Sequence, residues 1–179
     1  YNHAAAGARA NGFVPIGPSV VSNAAAVAGS FNPTTFGYFG SGSYRGTKVD
    51  RIDYSNDTAT AILRINLSAS RAIFYGMTSN ALFAYLGGGY SSPSPTSSVE
   101  RIEYANDTET PSLRGPLSFA RYGVTGTGNA SFGYFGGGKA PSPSGYSTVD
   151  RIDYSNDTGT TPTKGPLSAG RYYLTATGN

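Results

Sequence analysis

VDRIDYSND, from Val49 to Asp57, recurs as VERIEYAND from Val99 to Asp107 and returns as VDRIDYSND from Val149 to Asp157, a spacing of 50 residues each time. A fixed period of this size marks one supersecondary unit stacked on copies of itself, and it decides the architecture before local propensity is consulted. Residues identical in all three copies are expected to serve the scaffold. Function is therefore sought in the differences between copies.

Other landmarks keep the same spacing. Arg71, Arg121 and Arg171 each open a run that ends in Asn: RAIFYGMTSN, RYGVTGTGN and RYYLTATGN. Aromatic-glycine blocks begin at Phe36 (FGYFGSG), Phe83 (FAYLGGG) and Phe132 (FGYFGGG), and most length drift lies in the loops SYRGTK, YSSPSPTSS and KAPSPSGYST that follow. Upstream, Gly17-Pro18 echoes Gly115-Pro116 and Gly165-Pro166. The expected organisation is an N-terminal arm or linker at 1–16, a degenerate partial repeat at 17–35, and full repeats at 36–80, 81–129 and 130–179.

Composition points to an all-β protein. The 179 residues include 25 Gly and 11 Pro, with few charges and many Tyr, Ser and Thr, and only the Ala-rich start carries helix-like patterning. The absence of Cys removes disulfides and thiolate metal sites. No apolar run approaches the roughly 18 residues needed to cross a membrane as a helix. A net charge of +3, spread over all units, is too small to imply nucleic acid. A first residue other than Met, and a last run TGN just before the place of another aromatic-glycine block, lead us to expect a processed or partial chain.

The third repeat predicts four short strands. Tyr122–Thr127 is β-tolerant, and Gly128-Asn129 supplies turn residues that accept positive φ. Phe132–Phe135 is the second strand and Thr148–Tyr154 the third, with Asp150, Ile152 and Tyr154 on the face opposite Val149, Arg151 and Asp153. Ser155-Asn156-Asp157 reads as a turn whose side chains bond the local backbone. Thr158–Lys164 is a weak fourth strand, confined to an edge by Pro162. Four antiparallel strands per period of about 50 residues describe a propeller blade.

A glycine doublet after an aromatic strand, a Val-x-x-x-Asp-Tyr-like strand, an Asn/Asp turn, a Pro-Leu pair and an Arg before the next strand together resemble the kelch-type β-propeller repeat. The match covers residues 36–179, with Asn66-Leu67 replacing Pro-Leu in the first unit. More narrowly, VDRIDYSNDT followed by GPLS, AR, TGN and YFGGG is similar to repeats in structural proteins of tailed phages, especially of marine hosts. Kelch repeats usually carry a Trp near the end of the third strand, and this chain has none. Packing between units then falls to Tyr54, Tyr104 and Tyr154 and to the aromatics of the glycine strands.

Candidate chemistry is sparse. Arg51, Arg101 and Arg151, each flanked by acids, are expected to form ion pairs within or between units, which would keep the carboxylates at 50/53, 100/103 and 150/153 ionised rather than catalytic. Gly133–Lys139 has the spacing of a phosphate loop, but Ala140 lacks the hydroxyl and Pro141 prevents the helix such a loop needs. Asn56, Asn66, Asn106, Asn129 and Asn156 open N-x-S/T sequons, three of which the repeated turn accounts for. His3 is the sole histidine, so no metal site and no cofactor is expected. Radical-copper oxidase chemistry of the galactose oxidase type is excluded for want of its Cys and His pair. Ser155–Pro162 (SNDTGTTP) nearly matches a sialidase-type box, a motif that shapes a turn and carries no catalysis.

The expected function is non-enzymatic. The resemblance implies a virion structural protein of a tail, fibre or surface appendage, extracellular or particle-borne, whose partners are other virion subunits or copies of itself. Its variable loops are candidates for contacting a host-surface glycan or protein, through Tyr44, Arg45, Tyr90, Lys139 and Tyr146. Neither nucleic acid binding nor membrane insertion is expected. A bacterial extracellular adhesion propeller is the alternative, and a glycan-active hydrolase a more distant one.

Overall fold

Each 50-residue period is realised as an antiparallel sheet. The computed structural model describes residues 35–40, 42, 46–71, 75–141 and 144–178. The chain divides into two units, Tyr1–Asn32 and Pro33–Asn179, and every described residue belongs to the second. The expected arm at 1–16 and nearly all of the partial repeat at 17–35 lie outside the described residues.

Strands β1 (Phe36–Gly40), β2 (Lys48–Asp53) and β3 (Ile62–Asn66) form the first sheet, in that order. Then come β4 (Gly76–Ser79), β5 (Phe83–Gly87), a two-stranded ribbon of β6 (Tyr90–Ser91) and β7 (Ser94–Pro95), β8 (Val99–Glu103) and β9 (Ser112–Arg114). The second sheet has the order β4-β5-β8-β9. The third runs β10 (Tyr122–Gly128), β11 (Phe132–Lys139), β12 (Val149–Asp153) and β13 (Thr163–Lys164). Among the described residues there is no α-helix, only single 3₁₀ turns at Tyr54–Asn56 and Tyr104–Asn106. The short edge strand β13 follows Pro162, whose missing N–H keeps the strand from starting earlier. Because β4 and β10 come from the tail of the preceding sequence period, the sheets straddle the repeats at 36–80, 81–129 and 130–179.

One register serves all three sheets. Tyr38 pairs with Arg51, Tyr85 with Arg101 and Tyr134 with Arg151. In each case the guanidinium lies over the diagonal Phe, 3.9 Å from the Phe36 ring centroid, 4.2 Å from Phe83 and 4.3 Å from Phe132. The cross-strand pair thus aims each arginine outward from its sheet toward the next.

The core lies between sheets. Val49, Ile65, Leu67, Ala84, Leu86 and Ile102 pack the first sheet against the second, and Tyr85, Val99, Leu117, Val124, Phe135, Ile152 and Tyr154 pack the second against the third. Each full burial of such a side chain contributes roughly 1.5–3 kcal/mol. Two of the three tyrosines expected to pack between units do so: Tyr104 stacks on Tyr38 and Tyr154 on Tyr85, both at 5.0 Å between centroids, whereas Tyr54 is exposed. The diglycines are left-handed, with φ of 73° and 103° at Gly88-Gly89 just past β5 and 69° and 94° at Gly137-Gly138 near the end of β11. A Cβ on Gly88 would sit 2.7 Å from the Arg121 carbonyl oxygen, and one on Gly137 2.6 Å from that of Arg171. The doublet therefore admits the entering strand of the next sheet.

Two turns differ from expectation. Asn129 closes its hairpin through its side chain, with Oδ1 accepting from the N–H groups of Ser131 and Phe132 at 2.9 Å each, and neither Gly128 nor Asn129 has positive φ. At Ser155-Asn156-Asp157 the strong local bonds come from Asp153, whose Oδ1 accepts from Ser155 N–H at 3.0 Å and from its hydroxyl at 2.7 Å. Asp157 instead reaches across to the second sheet.

Candidate functional site

The repeated charges are spent on joining sheets. Asp107 accepts from Arg51 Nη1 at 2.8 Å, from Arg64 Nε at 3.0 Å and from the Tyr38 hydroxyl at 2.8 Å, all from the first sheet. Fifty residues on, Asp157 accepts from Arg101 Nη1 and the Tyr85 hydroxyl at 2.9 Å each, with Arg114 Nε at 3.4 Å. Burial pushes the Asp107 carboxyl up, but its hydrogen bonds from Arg64 and Tyr38 and the charges of Arg51 and Arg64 outweigh this and hold it below the usual carboxylate range. Burial, followed by the bond to the carboxylate, raises the Tyr38 and Tyr85 hydroxyls well above the ordinary phenol value.

A second clamp is fully enclosed. Arg71 gives Nε and Nη2 to Glu100 Oε1 at 3.2 and 2.9 Å and Nη1 to the carbonyls of Gly88 and Ser98. Arg121 gives Nη1 to Asp150 at 2.9 Å, Nε to the Gly137 carbonyl and Nη2 to that of Phe135. Ser68 and Ser118 supply N–H and hydroxyl donors to the two carboxylates. The flanking acids expected to pair with the repeated arginines therefore do take part, but with arginines 29 residues back, while Arg51 and Arg101 reach 56 residues forward. Such a carboxylate is acceptor-saturated and already paired, which leaves it no role as a general base.

Side chains that differ between repeats gather elsewhere. Lys139 Nζ lies 4.3 Å from the Tyr172 ring centroid, 5.4 Å from Tyr122 and 5.6 Å from Tyr173. Tyr90 meets Tyr122 edge-on at 5.5 Å, and its hydroxyl donates to the Pro93 carbonyl. Tyr146 packs edge-on against Phe119 at 4.9 Å, and its N–H donates to the Gly138 carbonyl, one residue from Lys139. Tyr90 and Lys139 thus share a cluster and Tyr146 borders it. Tyr44 and Arg45 lie outside the described residues.

Sequence reading missed Tyr122, Tyr172 and Tyr173. Tyr173 occupies the position 50 residues after Gly123, and both are left-handed, with φ of 57° and 68°. The repeat imposes this conformation, at a cost for Tyr of about 1–2 kcal/mol, and the Tyr173 N–H donates to the Gly123 carbonyl. The bend lays Tyr172 and Tyr173 on Gly123, where a Cβ would touch both residues. The two residues are 38% and 47% exposed. The available signal was the divergence of Ala72-Ile73, Tyr122-Gly123 and Tyr172-Tyr173 at equivalent positions.

A groove of about 550 Å³ runs beside β4, β10 and residues 173–176; its lining includes Tyr75, Met77, Val124, Thr125 and Leu174, with no acid and no nitrogen base. Among the described residues no group of three or more His, Cys, Asp or Glu is placed to hold a metal ion, and no helix is long and apolar enough to cross a membrane. No protein-family model matches the chain, and no curated protein matches it.

Proposed function

We propose that this chain is a non-catalytic scaffold of kelch-like β-propeller blades, a component of a virion tail, fibre or surface appendage, whose tyrosine-lysine face contacts a host-surface glycan. The observation that carries the reading is the division of labour among side chains. At the two junctions the repeated arginines and their carboxylates are consumed in ion pairs, while Tyr90, Tyr122, Lys139, Tyr172 and Tyr173 assemble on one surface. Exposed aromatic residues stack on the apolar faces of sugars, and an ammonium with no carboxylate partner among the described residues favours an acidic saccharide. The likeness of the repeat phrases to phage structural proteins supplies the particle setting.

The test is a glycan array probed with the wild-type chain, Lys139→Ala and Tyr173→Gly. Glycine is at ease at the left-handed position, so Tyr173→Gly removes the ring while leaving the backbone unstrained. Binding to acidic glycans that falls about tenfold or more in both variants, at unchanged unfolding temperature, is the expected result. Binding that both variants retain would reject this face. Antibodies to the chain should decorate purified phage particles; decoration of a bacterial cell surface alone would favour the adhesion propeller instead.

A further inference from the structure

We infer that the outward face of the third sheet is a socket for the first sheet of a second copy of this chain, so that copies join head to tail. This goes beyond the glycan reading and does not depend on it. Both internal junctions are built from the same pairs at equivalent positions, and each outer face carries one orphaned half of that set.

The acceptor half lies on the first sheet. Asp107 and Asp157 are 4% and 6% exposed in their clamps, whereas Asp57, their equivalent, is exposed and makes no ion pair among the described residues. Tyr54 is 55% exposed, while Tyr104 and Tyr154 stack on a tyrosine of the neighbouring sheet. Phe39 is 62% exposed, although Leu86 and Phe135 at the same strand position are fully buried.

The donor half lies on the third sheet. Arg151 is held over Phe132 as Arg51 and Arg101 are held over their phenylalanines, but among the described residues no carboxylate lies within ion-pair distance of it. Tyr134, opposite it in register, has neither the ring stack nor the carboxylate of Tyr38 and Tyr85. Arg171 is exposed, where Arg71 and Arg121 are sealed on Glu100 and Asp150. Val149 and Leu167 are half-buried, where Val49, Val99, Leu67 and Leu117 are buried.

Seating a second first sheet on this face brings Asp57 to Arg151 and Tyr134, stacks Tyr54 on Tyr134 and covers Phe39 with Val149 and Leu167. Charge, ring and apolar partners match position by position, and this complement is present on the chain itself. The contact is heterologous, with different surfaces on the two copies, so it propagates into a ring or a filament.

Sedimentation velocity of the 179-residue chain, of Asp57→Asn, of Arg151→Gln and of their equimolar mixture tests this. Wild type should gain mass with concentration up to about 100 µM, and each variant alone should associate at least about tenfold more weakly. The mixture should form a one-to-one dimer that stops growing, because each variant keeps the face the other lacks. Neither side chain has an ion-pair partner among the described residues, so both variants should fold; if one does not, Tyr54→Ala replaces the first and Arg171→Gln the second. A monomeric wild type at the highest concentration, variants that associate like wild type, or a mixture that stays monomeric would each overturn the proposal.

Discussion

The two sheet junctions share a plan but differ in what holds them. Between the first and second sheets, Asp107 is gripped by two arginines and a tyrosine, and Ile65 fills the position where the next repeat has Gly115. Between the second and third, the arginine grip is looser, with Arg114 at 3.4 Å, but backbone joins in: Gly115 N–H donates to the Asp157 carbonyl at 2.8 Å and Thr161 N–H to the Pro116 carbonyl at 2.9 Å. Two differences separate the junctions: Ile65 stands where Gly115 leaves room for the Gly159 carbonyl, and Pro111, which has no N–H, stands where Thr161 donates. The second junction therefore adds backbone bonds to its ion pairs.

The sharpest way to break this comparison is to neutralise the two turn acids. Asp107→Asn should destabilise the chain by about 3 kcal/mol, because it strands two partly buried guanidiniums. Asp157→Asn should cost about half as much, since the Gly115 and Thr161 backbone bonds remain. Equal losses in denaturant titrations would show that the backbone bonds add nothing.

The next largest effect is expected at Gly115. A Cβ there would run into the Gly159 carbonyl oxygen, so Gly115→Ala should cost about 1–3 kcal/mol by forcing the second junction apart. Hydrogen exchange should then quicken at the Gly115 and Thr161 amides and leave the first junction unchanged. Uniform loss of protection would contradict the separate character of the two joints.

The smallest effect is on pH dependence. The Asp107 carboxyl titrates lower when folded than when unfolded, so its stabilisation is complete above the unfolded value and is lost as pH falls through the folded one. Stability should decline below about pH 4, and Asp107→Asn should flatten part of that decline. An identical acid profile in the variant would show that Asp107 is not the group responsible.

Much of the fold was legible from the chain because repetition identifies which residues are equivalent. The first three strands of the third sheet, its edge strand shortened to the two residues after Pro162, and the packing of Tyr104 and Tyr154 between sheets all follow from local chemistry read at equivalent positions. Partner identity was harder. Asp157 looked like a local turn acid because nothing in its neighbourhood shows that Arg101, 56 residues earlier, points at it. The periodicity ranks all equivalent arginines alike, and only the stacking direction of the sheets selects one. The tyrosine-lysine cluster was half visible: Tyr90 and Lys139 stood out as odd loop residues, but Tyr172 and Tyr173 reach them through a left-handed bend that local sequence assigns to glycine, not tyrosine.

Every ion pair among the described residues joins different periods: Arg51 and Arg64 of the first sheet reach Asp107 and Arg101 and Arg114 of the second reach Asp157, while Arg71 and Arg121, on the connections between sheets, close on Glu100 and Asp150. No period neutralises itself. A single excised repeat would hold its arginines and acids in the right register with nothing to receive them. In a nearest-neighbour description of a repeat array, these ion pairs belong to the coupling term and not to the intrinsic one. The smallest cooperative folding unit is then two periods, with order spreading outward one sheet at a time from the first pair that meets.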